Sequence, residues 1–298
     1  MKRAGLLMAG LMAAVMLCSC ASEQKQELHI ATKPMTEQYI LGEMLKAVIE
    51  DQTDLEVTVT KGVGGGTANI HPGMLSGDFD LYPEYTCTGW LNVLKETEVP
   101  EQEDELFEQL QQRYQEEFQL EWVGLYGFNN TYCLLVDTQS AQEYGLEKCS
   151  DLAGCADQLI FGANYDYYER PDGFPALCET YGLSFKETKD VDMGLKYTIF
   201  GKGEINVMPA YTTDAQMATA DGVVLEDDKG LFDNYYCGTV VRQEVLEEYP
   251  QLRDALMLLD GAISNEEMAQ MNYQLEIEHR DEADIAREFL LEKGIIAE

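Results

Sequence analysis

Histidine is scarce in this chain: His29, His71 and His279 stand far apart, and no two cysteines share a Cys-x-x-Cys spacing. Those absences argue against a zinc site. Positive charge is also short, with 20 Lys and Arg against 55 Asp and Glu and a net charge of −35. Phosphate would be repelled over most of such a surface, which argues against nucleic acid as a partner. The glycine cluster Gly62-Val63-Gly64-Gly65-Gly66 lacks the Gly-Lys-Ser/Thr ending of a phosphate-binding loop and the spacing of a dinucleotide fingerprint. It reads as a tight turn ahead of a helix. Catalytic signatures are missing too. Asp80 with Glu84, or Cys87 with His71, would be the nearest approach to a carboxylate pair or a thiol dyad, and neither has supporting residues around it. No internal repeat and no low-complexity linker occurs, and a hydrophobic content of 45% is too high for a disordered chain.

What is present begins with the N-terminus. Lys2 and Arg3 precede the apolar run Ala4–Leu17, which is too short for a comfortable membrane span, and Leu17-Cys18-Ser19-Cys20 follows. Residues 1–19 read as a lipoprotein signal peptide cleaved before Cys20, with Cys20 lipidated and residues 20–27 serving as a tether. Two acyl chains on one cysteine suffice for stable anchoring. An exported chain permits disulfides, and Cys149 and Cys155 are the one close pair. Spacing leaves that bridge open, because it does not supply the Cα separation.

The remainder alternates strand with helix. Leu28–Thr32 is a short apolar strand, and the helix opened by Thr36 carries Ile40, Leu41, Met44, Leu45, Val48 and Ile49 at helical spacing. Leu55–Thr60 alternates as a strand; a helix to Gly77 and the strand Asp80–Tyr82 follow. This rhythm predicts a parallel sheet covered by helices. After Asn129-Asn130-Thr131 the pattern restarts, with a strand at Leu159–Ala163, a strand at Ile205–Ala210 and a helix from Thr213. A helix at Gln243–Leu259 comes next, then a capping box at Ser264-Asn265-Glu266-Glu267 and a last helix over Asp281–Lys293. The expected architecture is two α/β lobes. Residues 28–128 plus 237–298 form lobe 1 and 129–236 form lobe 2, with crossings near Asn129 and Asn234.

Six segments carry a resemblance: "ATKPMTEQYILGEML", "GDFDLYPEYTCT", "GFNNTYCLLV", "ERPDGFPAL", "INVMPAYTTDAQM" and "NYYCGTVVR". In this order and spacing they resemble the substrate-binding proteins of ABC importers for glycine betaine, carnitine and choline. The resemblance implies a two-lobed periplasmic-binding-protein fold of type II, with the ligand in the interlobe cleft. It also implies a permease and its ATPase as partners, no cofactor, and a binder rather than an enzyme. By motif correspondence, Tyr85, Tyr132, Tyr211 and Tyr235 would form a cage for a quaternary ammonium group. Lys33, Thr88 and Arg170 would face the carboxylate or hydroxyl end. Such a cation has no N–H to donate, so aromatic faces hold it better than directional acceptors do. Tyr82 and Trp90, close to Tyr85, are expected to be structural. The chain departs from the family pattern at Pro34, Cys87 and Asp233-Asn234. Cys87, Cys133 and Cys237 each lie within two residues of a cage tyrosine, which adds ergothioneine, a sulfur-bearing betaine, to the candidate ligands.

Overall fold

The computed structural model describes residues 27–100, 102–169, 173–192, 194–232 and 234–297. Cys20 and Arg170 lie outside the described residues.

The ten strands among the described residues divide into two five-stranded sheets. The first contains β1 (Glu27–Ala31), β2 (Glu56–Thr60), β3 (Leu81–Tyr85), β4 (Leu120–Asn129) and β10 (Tyr236–Arg242), in the order β2-β1-β3-β10-β4. The second contains β5 (Tyr132–Asp137), β6 (Ile160–Ala163), β7 (Glu187–Asp190), β8 (Val207–Tyr211) and β9 (Gly222–Leu225), in the order β7-β6-β8-β5-β9. The chain passes from the first sheet to the second between Asn129 and Tyr132, and returns between Leu225 and Tyr236.

The expectation of a parallel sheet holds only in part. β1 pairs in parallel with β2 and β3, but β10 runs antiparallel to both β3 and β4. The reason is connectivity: β10 enters its sheet on the return crossing, from the edge where β3 ends. In the second sheet β5 is likewise antiparallel to β8 and β9.

Helices cover the sheets. Those joining or flanking the first strands are α1 (Thr36–Gln52), α2 (Thr67–Ser76), the single turn α3 (Thr86–Thr88) and α4 (Glu103–Phe118). On the second sheet lie α5 (Thr138–Tyr144), α6 (Tyr165–Glu169), α7 (Phe174–Tyr181) and α8 (Lys196–Gly201). The C-terminal set is α9 (Gln243–Glu248), α10 (Gln251–Met257), α11 (Asn265–Glu276) and α12 (Glu282–Glu292). Two helical expectations are corrected. Gln243–Leu259 breaks into α9 and α10 at Pro250, which lacks an N–H for the ladder. The segment after Thr213 forms only a 3-10 turn at Ala215–Thr219. β7 went unread because Glu187-Thr188-Lys189-Asp190 has no apolar face, being a mostly exposed edge strand.

α1 buries Ile40, Leu41, Met44, Leu45, Val48 and Ile49 against the first sheet, and the C-terminal helices add Met268, Ile285 and Leu290 to that core. Tyr82 and Trp90 belong to a second cluster on the opposite face, with Tyr114 and Trp122. None of the six described cysteines is in a disulfide. Cys149 and Cys155, at the two ends of a 3-10 turn, both pack into the core of the second sheet as small apolar side chains. Burial pushes the Cys149 thiol up to about 12, so it is inert at neutral pH.

Candidate functional site

Both sheets present their strand ends to one cavity of about 1090 Å³. β1 and β3 run parallel and their carboxyl ends lead to Lys33 and Tyr85 at this edge. β8 ends at Tyr211, and the antiparallel register sets Tyr132, the first residue of β5, directly opposite it. Cys237 of β10 pairs with Tyr85, so Tyr235, two residues earlier, reaches the same edge. Strand carboxyl ends are where open α/β sheets leave a crevice. All four tyrosines named from the sequence therefore line a single cavity, and Lys33 and Thr88 line it with them. Tyr82 and Trp90 are absent from its described lining, as are Cys87, Cys133 and Cys237, all three of which are buried.

On the second-sheet side, the Tyr132 and Tyr211 rings stack with centroids 4.6 Å apart and planes at 29°, and Tyr211 donates its hydroxyl proton to the Tyr132 hydroxyl oxygen at 2.9 Å. Phe232 tilts against Tyr132 at 6.2 Å. Beneath Tyr211, Asp214 accepts from the Tyr211 backbone N–H at 3.2 Å, from Lys196 Nζ at 2.6 Å and from the Tyr197 hydroxyl at 2.9 Å. The turn that carries Tyr211 is thus fixed by a carboxylate three residues on.

The first-sheet side is built from two buried acids. Glu84 is fully buried, pairs with Lys33 and accepts from the Thr67 hydroxyl at 2.7 Å and the Tyr85 N–H at 2.7 Å. Lys33 Nζ lies 4.5 Å from the centre of the Tyr85 ring. The ammonium expected to meet a ligand is therefore already engaged, by a carboxylate and by an aromatic face. Glu37, in the first turn of α1, accepts from the Tyr85 hydroxyl, from Asn130 Nδ2 at 2.9 Å and from the Thr213 hydroxyl at 2.8 Å. Burial lifts its carboxyl above the ordinary range, against the pull of these bonds.

Glu37, Asn130, Thr213, Asp214 and Phe232 were not singled out as site residues from the sequence, and Glu84 was weighed there only as half of an unsupported carboxylate pair with Asp80. For Glu37 a signal existed. It sits four and eight residues before Leu41 and Leu45, on the apolar stripe of α1, where an unneeded charge would not be placed. Asp214 and Phe232 carry no comparable mark in their local sequence.

Aromatic faces, fixed hydroxyls and carboxylates line this cavity, a chemistry that can hold a small, partly cationic molecule. Among the described residues, no group of His, Cys, Asp and Glu is arranged to hold a metal ion.

Known proteins agree with this architecture. Residues 26–292 match the family described as the substrate binding domain of ABC-type glycine betaine transport systems. The chain is 43% identical over 272 residues to the ergothioneine transport permease/ergothioneine binding protein EgtU of Helicobacter pylori; the match takes in 91% of this chain but spans about half, 48%, of that protein. It is 31% identical over 287 residues to the carnitine transport binding protein OpuCC of Listeria monocytogenes, covering 94% of this chain and 92% of the relative. A crystal structure described as a glycine betaine/carnitine/choline ABC transporter superposes with a TM-score of 0.85 at 29% identity, over 90% of this chain and 99% of that one. The fold is that of the periplasmic solute-binding proteins, and the chain belongs to the family of substrate-binding domains of ABC-type glycine betaine transport systems.

Proposed function

We propose that this protein is the extracytoplasmic receptor of an ABC importer for a betaine, anchored through a lipid on Cys20, and that its ligand is ergothioneine. The observation that carries the reading is the meeting of Tyr85, Tyr132, Tyr211 and Tyr235, from both sheets and the return crossing, on one cavity. A trimethylammonium group among these rings gains cation–π attraction of about 0.5–2 kcal/mol per face. Lys33, Thr88 and Arg170 face the carboxylate in this reading, with Lys33 acting from within its pair with Glu84. Residues 28–128 with 237–298 and residues 129–236 act as the two lobes that close on the ligand.

One comparison favours ergothioneine over a smaller betaine. The relative named for ergothioneine is 43% identical, against 31% for the one named for carnitine. The buried cysteines lend no weight, since none lines the cavity among the described residues.

Calorimetry with ergothioneine, carnitine, glycine betaine and choline tests the reading. Ergothioneine should bind tightest and be recovered unchanged by mass spectrometry. Glycine betaine binding tightest would remove the ergothioneine assignment, and no heat with any of the four would remove the receptor. In cells, Cys20→Ala should free the protein from the membrane, while Cys18→Ala should not.

A further inference from the structure

Glu37 is 3% exposed, yet it stands where the two sheets meet at the cavity. One carboxylate oxygen accepts from the Tyr85 hydroxyl and Asn130 Nδ2, the other from the Thr213 hydroxyl and, at 3.5 Å, Asn272 Nδ2. These donors arrive from four separate pieces of chain: the end of β3, the first crossing, the turn after β8 and the middle of α11. Asn272 also donates to the Thr213 carbonyl at 2.8 Å, so its amide cannot flip without turning an oxygen toward two acceptors. All four donor residues line the cavity.

Four donors and no acceptor match the lone-pair directions of an ionised carboxylate. An amide in the same place would turn its own N–H groups against some of them. Burying a charge is costly, and an apolar side chain would fill the space without that cost. Its retention is intelligible if its polarity organises both walls at once.

We propose that Glu37 is the positioning residue of the ligand site: its carboxylate fastens Tyr85, Asn130 and Thr213, from both sides of the cavity, in the arrangement that the ligand meets. The walls then need no ordering at the moment of binding, which preserves affinity. The proposal rests on the receptor reading for its affinity readout alone.

The test is Glu37→Gln, which keeps size and removes charge. Ergothioneine affinity, by calorimetry, should fall about tenfold or more, the scale of a lost charge-assisted hydrogen bond. Tyr85→Phe and Thr213→Val should each cost clearly less in the Glu37→Gln background than in the wild type, because both act through the same carboxylate. Tyr235→Phe, on the return crossing, should cost the same in either background. Wild-type affinity in Glu37→Gln, or full additivity with Tyr85→Phe and Thr213→Val, would overturn the proposal. If Glu37→Gln does not fold, the double variant of Tyr85→Phe with Thr213→Val reads the same coupling, and additive losses there overturn it too. A ligand-free arm separates this from the receptor reading. Amide exchange at Asn130 and Thr213 should quicken in Glu37→Gln whether or not any betaine binds, and unchanged exchange would sink the network.

Discussion

Tyr211 carries the clearest single-residue consequence of the proposed cage. Its ring stacks on Tyr132 and its hydroxyl spends its proton on the Tyr132 hydroxyl. Tyr211→Ala should therefore weaken every quaternary ammonium ligand, while Tyr211→Phe should cost less, since the ring face survives. Arg170→Ala should behave differently, costing carboxylate-bearing ligands about one to two decades and choline far less. Calorimetry on the three variants with glycine betaine and choline makes the comparison, and equal losses for both ligands on removing Arg170 would assign that residue to the fold. Glu37 has a consequence for stability as well. Its carboxyl is raised from 4.5 by burial, so the folded chain holds that proton more tightly than the unfolded one. This group's contribution to stability therefore falls as pH rises from 4.5 through the raised value. Urea denaturation of wild type and Glu37→Gln across that window should show the wild type gaining on the variant as pH falls. A pH-independent difference would mean that Glu37 does not titrate as argued.

Among the elements, α11 and β10 tie the C-terminal part of the chain to the site. α11 begins in a capping box, where the Ser264 hydroxyl accepts from the Glu267 N–H at 3.2 Å and the Glu267 carboxylate accepts from the Ser264 N–H at 2.9 Å. Ser264→Ala should destabilise the protein by about 1 kcal/mol. β10 is the interior strand through which β3 and β4 are joined. A Cβ at Gly238 would lie 2.3 Å from the Gly124 carbonyl oxygen, backbone that has little freedom to move. Gly238→Ala should therefore cost more than Ser264→Ala, about 1–3 kcal/mol, read from the same denaturation curves; a smaller loss would mean that β4 yields at its bulge. These elements differ in how they show in sequence. The capping box and the apolar stripe of α1 are local patterns, legible because one helix suffices to state them. The antiparallel placement of β10 is not local, since it depends on a return crossing about a hundred residues after the chain first leaves the sheet.

For the whole molecule, two sheets joined by two short crossings provide the means of closure that the receptor reading requires. The crossings are bound to one another: the Asn129 side chain donates to Asn234 at 2.8 Å and accepts from the Tyr235 N–H at 2.7 Å. A ligand held between the lobes should leave the molecule more compact in solution scattering, and unchanged scattering at saturation would remove hinge closure from the account. By itself the sequence determined the acidic balance that disfavours nucleic acid and most of the strand and helix succession; the four tyrosines of the proposed cage were chosen from its motif order, and the proposed lipidation of Cys20 rests on it alone. Each is a matter of composition, of periodicity along a few turns, or of motif order. Only the tertiary structure decided that Lys33 is already paired with Glu84, that the cysteines beside the tyrosines are buried away from the cavity, and that Glu37 gathers donors from four segments. Those outcomes depend on which residues distant in the chain are brought within hydrogen-bond reach, and no window of sequence contains both partners. Strand register and the two crossings set those distances, and they exist only once the sheets have formed.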